Sequence, residues 1–481
     1  MNKGRVIQSL FYKFTERFAV KGIGLVIGIV LARMIAPEIF GQIAVLTVFT
    51  DLSLTLIDGG LSTALVQSRE VDDRDYSTVF YITLLLSAVM IALLQLIAPW
   101  AAAYYNSPGI TAPLRVYSFS LLFSSFNSIQ VARLQREMRF RDMMFCNLAA
   151  SVTAGVLGVW MAWRGMGLWA LVCYYFAQIA ASSLAMLAVL RWVPKSRFSP
   201  DSAKRLYRFG IKMLAASVIT TLYNNLRPLI IGKRFSTADL GYYNRGQSFS
   251  STVSLNLDSA LQSVMFPVLS KSQDDPGQLR SMLRRTKMTG AFVIFPVMLG
   301  MAAAAEPLVR LLLTDTWLPA VPYVALLSIG EAQVPLTTSN LVALKALGRS
   351  DLYARQEVLR RALMLAVLAV SVLVFDSVKA IAVGFVFSAW LDAAVTSLPV
   401  GRLLDYGFLP QLRDVWKSGL AAVLMFALVR AIGLLPLSPA LLLLLQIPAG
   451  ALCYTGLSLL LKNESLAYIL QMLRSARGRV S

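Results

Sequence analysis

The chain has 481 residues, 57% of them hydrophobic and 15% charged, and a mean hydropathy of +0.65. A soluble domain carries about 25% charged residues, so this composition excludes a water-soluble enzyme and points to an all-α polytopic membrane protein. The 45 Lys and Arg against 25 Asp and Glu give a formal +20, but the cations are scattered over short segments, which excludes a basic nucleic-acid-binding domain.

A helix needs about 20 largely apolar residues to cross roughly 30 Å of hydrocarbon. Fourteen such spans are expected in chain order, at 14–36, 39–60, 77–103, 112–132, 142–163, 166–190, 206–232, 239–265, 287–312, 319–345, 356–375, 378–401, 416–435 and 440–461. The first follows a basic, slightly amphipathic start, MNKGRVIQSLFYKFTERF, without a small-residue cleavage pattern, and reads as a retained helix. Most Lys and Arg fall in the two tails and in alternate loops, while intervening loops such as AYYNSPGITAP and GLLPLSP are short and poor in charge. That asymmetry puts both termini in the cytoplasm. Cys146, Cys173 and Cys453 fall within spans and read as apolar packing residues. There is no histidine, no Gly-rich phosphate loop and no zinc spacing, so neither a metal nor a cofactor is expected.

Shifted by 200 positions, the second half meets the first. Phe40–Gly41 aligns with Leu240–Gly241, Asp58 with Asp258, and Leu61 with Leu261. LARMIAPEIFGQIAV and IGKRFSTADLGYYNR share one plan, in which a helix ends in basic residues, a short turn carries an acid, and a new helix opens. Six spans separate the copies, an even number, so both run the same way through the membrane. The expected organisation is two six-helix lobes, 1–200 and 201–405, related by a pseudo-two-fold along the membrane normal. Two further helices and a short cytoplasmic tail, 406–481, follow. Parallel repeats of this kind are a transporter architecture with the substrate between the lobes.

The segments LARMIAPEIFGQIAVLTVFTDLSLTLIDGGLSTALVQ, FYITLLL, IAPWAAAYYNSP, VARLQREMRF (131–140) and RGMGLWALV (164–172) resemble bacterial polysaccharide flippases of the Wzx type. The likeness is closest to the colanic-acid-exporter branch, runs through the first 275 residues, and fades to hydropathy alone in the last third. The resemblance implies a member of the multidrug/oligosaccharidyl-lipid/polysaccharide superfamily, with two bundles around a central cavity and no enzymatic step. By alternating access it would move undecaprenyl-diphosphate-linked oligosaccharides from the cytoplasmic to the periplasmic leaflet of the inner membrane, for exopolysaccharide, capsule or O-antigen assembly. It also implies membrane lipids, a polysaccharide polymerase and chain-length machinery as partners, and coupling to an H+ or Na+ gradient. Two alternatives stay open: a cation-coupled exporter of drugs or of a lipid precursor from the same superfamily, and a membrane glycosyltransferase or polymerase. The second should display a long charged outward loop, and every outward loop here is short.

The polar residues inside spans are the candidate site. Arg17, Lys21, Gly24, Gly28 and Ala32 share one face of the first helix, with a Gly-x-x-x-Gly that would admit another backbone. Ser217, Thr220, Asn224 and Arg227 form a second stripe at helical spacing, and Pro228 is expected to kink that helix. Lys21, Asn224, Arg227 and Arg245 are the cavity candidates for holding a diphosphate; snorkelling to the edge is the alternative for Lys21. Asp51, Glu331 and Asp392 are candidates for ion coupling or for counter-ions to lumen cations, with a structural salt bridge the alternative. Asp58 and Asp258 read as boundary acids that bind loop cations, and Arg33, Arg115, Glu306, Arg310 and Arg430 as interfacial. Trp100, Tyr104, Tyr105, Trp163, Trp169, Trp317, Tyr242 and Tyr243 read as an interfacial belt. Asp72–Asp73 and Asp274–Asp275 read as solvated turns.

Overall fold

The computed structural model describes residues 3–68, 70–271 and 275–468, without the side chains of 3–18, 209, 212, 216, 260, 261, 263–271 and 350. The side chain of Arg17, Asp274 and the tail beyond 468 therefore lie outside the described residues. Eighteen helices and two short 3-10 turns make up the ordered structure, with no strand among the described residues. In the first half these are α1 (Lys3–Met34), α2 (Pro37–Asp58), α3 (Leu61–Gln67), α4 (Asp73–Tyr104), α5 (Thr111–Ser118), α6 (Ser120–Arg136), α7 (Phe140–Trp163), α8 (Leu168–Leu190) and α9 (Pro200–Arg234). Then come α10 (Thr237–Lys271), α11 (Pro276–Ala303), α12 (Ala305–Leu312), α13 (Val321–Glu331), α14 (Val334–Ala346), α15 (Ser350–Phe375), α16 (Val378–Leu404), α17 (Phe408–Ile432) and α18 (Pro439–Leu460). Nine helices among the described residues are long and apolar enough to cross a membrane.

The local chemistry explains where the helices begin and end. Asp72 and Asp75 close a reciprocal capping box at the start of α4, and the Ser199, Asp275 and Ser438 side chains cap α9, α11 and α18. Each supplies an acceptor to backbone N–H groups that the helix leaves unpaired. Gly59 and Gly60, at φ of 54° and 75°, make the left-handed turn that ends α2 and opens α3. A side chain at Gly60 would sit 2.7 Å from the Gly210 carbonyl of α9, so the residue serves both the turn and a close approach.

Two rods are interrupted part-way. Between α5 and α6 the Arg115 carbonyl accepts from the Ser118 hydroxyl at 2.7 Å and from Gln95 Nε2 at 3.0 Å. The N–H of Phe119 turns instead to the Val116 carbonyl, a 3-10 bond that tightens the rod. Between α13 and α14 the cause is Pro335, which has no N–H and whose ring clashes with the carbonyl four residues back, that of Glu331. Pro228, expected to disturb its helix, lies within α9, which continues to Arg234. Neighbouring groups can supply what such a proline removes.

The chain divides into two compact units, Met1–Gly241 and Tyr242–Ser481. In the first, α7 packs on α1 and α8, and α9 packs on α2, α3 and α4. One of its cores gathers Leu61, Leu65, Val79, Ile129 and Leu206 around the ring pairs of Phe80 with Phe126 and Trp192. The first turn of α10 belongs to this unit and meets the first turn of α2 backbone to backbone. A side chain on Gly41 would fall on the Thr237 carbonyl, and one on Gly241 on the Pro37 carbonyl and 3.2 Å from Gly41 N. The contact is reciprocal at the same 200-residue offset that aligns the two sequence segments. By contrast a side chain on Gly24 would meet nothing within 4 Å. On α1 the close neighbour is instead Ile27, which lies where a side chain on Gly155 of α7 would stand.

In the second unit α11 packs on α13, α14 and α17, α17 on α18, and α15 on α16. One of its cores joins Ala291, Phe295 and Met298 of α11 to Val415, Ala422 and Met425 of α17. An apolar groove of about 470 Å³ runs between α11, α17 and α18, lined by Phe292, Pro296, Met301, Leu443, Ile447 and Tyr454 among others.

Candidate substrate-binding and coupling residues

The polar stripe of α9 forms as expected, with Ser217 and Asn224 exposed, Thr220 half-buried and Arg227 buried at 7% exposure. Arg227 is seven residues from the end of α9, about 10 Å along the axis, so it lies two turns inside the helix end. Its Nη2 donates to the Tyr223 hydroxyl at 3.1 Å, and its Cζ lies 5.6 Å from the centre of the Tyr223 ring. Six residues earlier, Thr221 meets Thr55 of α2 at 2.9 Å, and Asn225 Nδ2 donates to the Thr221 carbonyl at 3.0 Å. Lys21 is exposed on α1.

The acids divide. Asp51, expected in the span interior, is exposed on the surface of α2, because that helix buries the face of Ile43, Leu46, Thr50 and Ser53. Glu331 is half-buried at the end of α13 and accepts a 2.7 Å hydrogen bond from Ser254 of α10. Asp392, 5% exposed, is a counter-ion, but to Arg360 of α15 rather than to a lumen cation. Arg360 grips both its oxygens, at 2.7 Å through Nη2 and through Nε, and reaches Glu357 at 2.7 Å. Both oxygens accept from one guanidinium. Among the described residues, Thr338 Oγ1 and Gln262 Nε2 donate to Asp258 at 2.8 and 3.4 Å.

Arg245 is half-buried on α10, with its Cζ 5.6 Å from the centre of the Trp317 ring. That tryptophan is fully buried and meets Tyr242 edge-on, so it is a packing residue and not part of a belt. Tyr105 and Tyr243 are likewise buried, whereas Trp100, Tyr104 and Trp163 stand exposed as a belt requires. Glu306 and Arg310 pair with each other at 3.2 Å, and Arg310 also reaches Asp315.

Sequence reasoning passed over Lys287. The expected span began at this residue, but α11 starts at Pro276, so Lys287 lies three turns inside the helix and is completely buried. Its ammonium donates to Asn340 Oδ1, and Asn340 and Gln411 exchange hydrogen bonds at 3.2 Å. Its Nζ lies 5.1 Å from the centre of the Tyr406 ring, whose hydroxyl donates to Asp414 at 2.7 Å. Asp414 in turn holds Arg284 at 2.8 Å. The signal was available at Asn340, an amide inside the expected span 319–345 that needs partners.

Comparison with known proteins bears on the whole chain. Residues 30–322 match the family model for polysaccharide biosynthesis proteins. The chain is 23% identical to the succinoglycan biosynthesis transport protein ExoT of Rhizobium meliloti (strain 1021), over 100% of this chain and 98% of that one. It is 25% identical to the teichuronic acid biosynthesis protein TuaB of Bacillus subtilis (strain 168), over 85% of each. To the lipopolysaccharide biosynthesis protein WzxC of Escherichia coli (strain K12) it is 24% identical, over 64% of this chain and 63% of that one. Among solved structures, the lipid II flippase MurJ in an inward closed conformation shares the fold with a TM-score of 0.75 at 14% identity, covering 94% of this chain and 98% of that one. An inward-facing multidrug transporter of the MATE family gives 0.60 at 15% identity, covering 84% and 95%. The family model spans more than half of the sequence, and the chain belongs to the polysaccharide biosynthesis family as a multi-pass membrane protein.

Proposed function

We propose that the protein is an inner-membrane flippase for undecaprenyl-diphosphate-linked oligosaccharide repeat units, moving them from the cytoplasmic to the periplasmic leaflet for exopolysaccharide, capsule or O-antigen assembly. No covalent step is involved, and a polymerase and chain-length machinery would take the product. The observation that carries the reading is Arg227, a buried guanidinium on the polar face of α9. Fixed cations inside a span mark substrate or ion pathways, and the donor fork of arginine suits phosphate oxygens. The groove between α11, α17 and α18 is apolar, as a polyprenyl chain requires. The Lys and Arg distribution supports two cytoplasmic termini; cysteine labelling that finds Ser107 outside and Lys195 inside checks this, and the reverse would invert the transport direction proposed here.

Complementation of a strain that lacks its own flippase tests the role of Arg227. Arg227→Ala should reach the membrane and cut export at least tenfold, Arg227→Lys should keep part of the activity, and Arg227→Glu should fall below alanine because it repels phosphate. Full export by the alanine variant would remove Arg227 from the substrate path. The same assay addresses coupling to an H+ or Na+ gradient, for which Glu331 is the enclosed candidate and Asp51 the exposed one. Glu331→Gln should lower export more than expression and flatten its dependence on pH; an unchanged pH profile in both Glu331→Gln and Asp51→Asn would exclude the two acids.

A further inference from the structure

The antiparallel pair α15 and α16 carries two cavities that the proposed transport path does not use. One, of about 410 Å³, lies at the end where α15 begins and α16 finishes, and Arg349, Arg355 and Arg402 line it with Leu352, Leu359 and Leu403. Arg349 is held by Asp351 through bonds of 3.0 and 2.9 Å. Arg355 and Arg402 are exposed to the cavity with no ion pair among the described residues. Gln356 also lines it, is 9% exposed, and has a buried amide Oε1 that meets no donor. A buried acceptor left open is costly, so its presence beside two unneutralised guanidinium groups points to a ligand with both a phosphate and a hydroxyl.

The second cavity, about 570 Å³, is almost wholly apolar and is walled by Val367, Val370, Phe375, Val383 and Phe387. On α15 the lining positions 352, 356, 359, 366 and 370 advance by steps of three, four or seven, and on α16 positions 380, 384, 387, 398 and 402 advance by three, four or eleven. These are whole numbers of helical turns, so both cavities open on one seam of the pair. From Arg355 to Ala366 the seam runs about 16 Å, close to the roughly 15 Å depth of hydrocarbon in one leaflet. An acyl chain anchored at the arginines would follow the seam to the apolar cavity.

We propose that this seam is a binding site for an anionic phospholipid, phosphatidylglycerol in its chemistry. Arg355 and Arg402 take the phosphate oxygens, Gln356 Oε1 accepts from a headgroup hydroxyl, and the α15–α16 seam takes one acyl chain. The site is separate from Arg227 and does not depend on what the protein transports.

The test uses the purified full-length protein in detergent, titrated with dioleoylphosphatidylglycerol, dioleoylphosphatidylcholine or undecaprenyl phosphate and read by native mass spectrometry. The natural chain should bind one phosphatidylglycerol at least tenfold more tightly than phosphatidylcholine. Arg355→Ala with Arg402→Ala should remove that preference, whereas Arg164→Ala with Arg430→Ala, which deletes two exposed arginines elsewhere, should keep it. If the double variant does not fold, Arg402→Gln and Gln356→Leu singly should each lower phosphatidylglycerol affinity about threefold and leave phosphatidylcholine unchanged. Equal phosphatidylglycerol binding in the natural chain and the Arg355/Arg402 variants overturns the proposal, as does equal loss in the control pair. So does a variant that keeps phosphatidylglycerol but loses undecaprenyl phosphate, because the cavity would then belong to the transported lipid.

Discussion

Asp392→Ala should cost the second unit about 3–5 kcal/mol, because it strands the Arg360 guanidinium beside a nearly closed site with only Glu357 left to face it. The asymmetry is the informative part. Removing one member of a buried pair leaves an uncompensated charge, whereas removing both with apolar residues of similar size is often neutral or better. Asp392→Leu with Arg360→Met should therefore melt near the natural protein, while either change alone melts well below it, in a thermal scan of the detergent-purified chain. If Asp392→Ala melts unchanged but alters the pH dependence of export, the carboxylate is a coupling group after all. A double variant as unstable as the single one would show that the pair contributes more than mutual neutralisation.

The second large effect is expected at the reciprocal glycines. Gly41→Ala places a methyl group on the Thr237 carbonyl, and Gly241→Ala places one on that of Pro37. The obstacle in both cases is backbone, so no rotamer change relieves it, and the first turns of α2 and α10 must move apart. Overpacking typically costs about 1–3 kcal/mol, and each single variant should lose that much stability together with most of its export. Gly24→Ala is the counter-test. A methyl group there meets open space, so the change should be neutral, or stabilising by up to about 1 kcal/mol through helix propensity. If all three behave alike, the close approach has no energetic weight.

Much of the fold was legible because hydropathy registers the length of a span. The expected 142–163 and 166–190 became Phe140–Trp163 and Leu168–Leu190, and 440–461 became Pro439–Leu460. What hydropathy does not register is helix that continues past the lipid-like segment. α11 begins eleven residues before its expected span, and that extension carries Lys287 from a supposed edge into a packed interior. Side-chain partners were harder still. Asp392 was recognisable as an acid in need of a partner, but nothing in the sequence chose Arg360, 32 residues away, over a lumen cation. Trp317 fits a membrane belt by position and is a buried core ring by contact. Arg227 was legible because its stripe is local to one helix, where spacing alone determines the face.

The interruption at Glu331 has a mechanical meaning. An unbroken helix resists bending all along its ladder of hydrogen bonds, but Pro335 has already removed a rung at the α13–α14 break, so flexing there severs nothing further. The carboxylate tied to Ser254 is attached at that joint. Any chemical event that loosens this tether acts where the rod is most compliant, so a change at a single oxygen atom can be converted into an angle between two rigid arms.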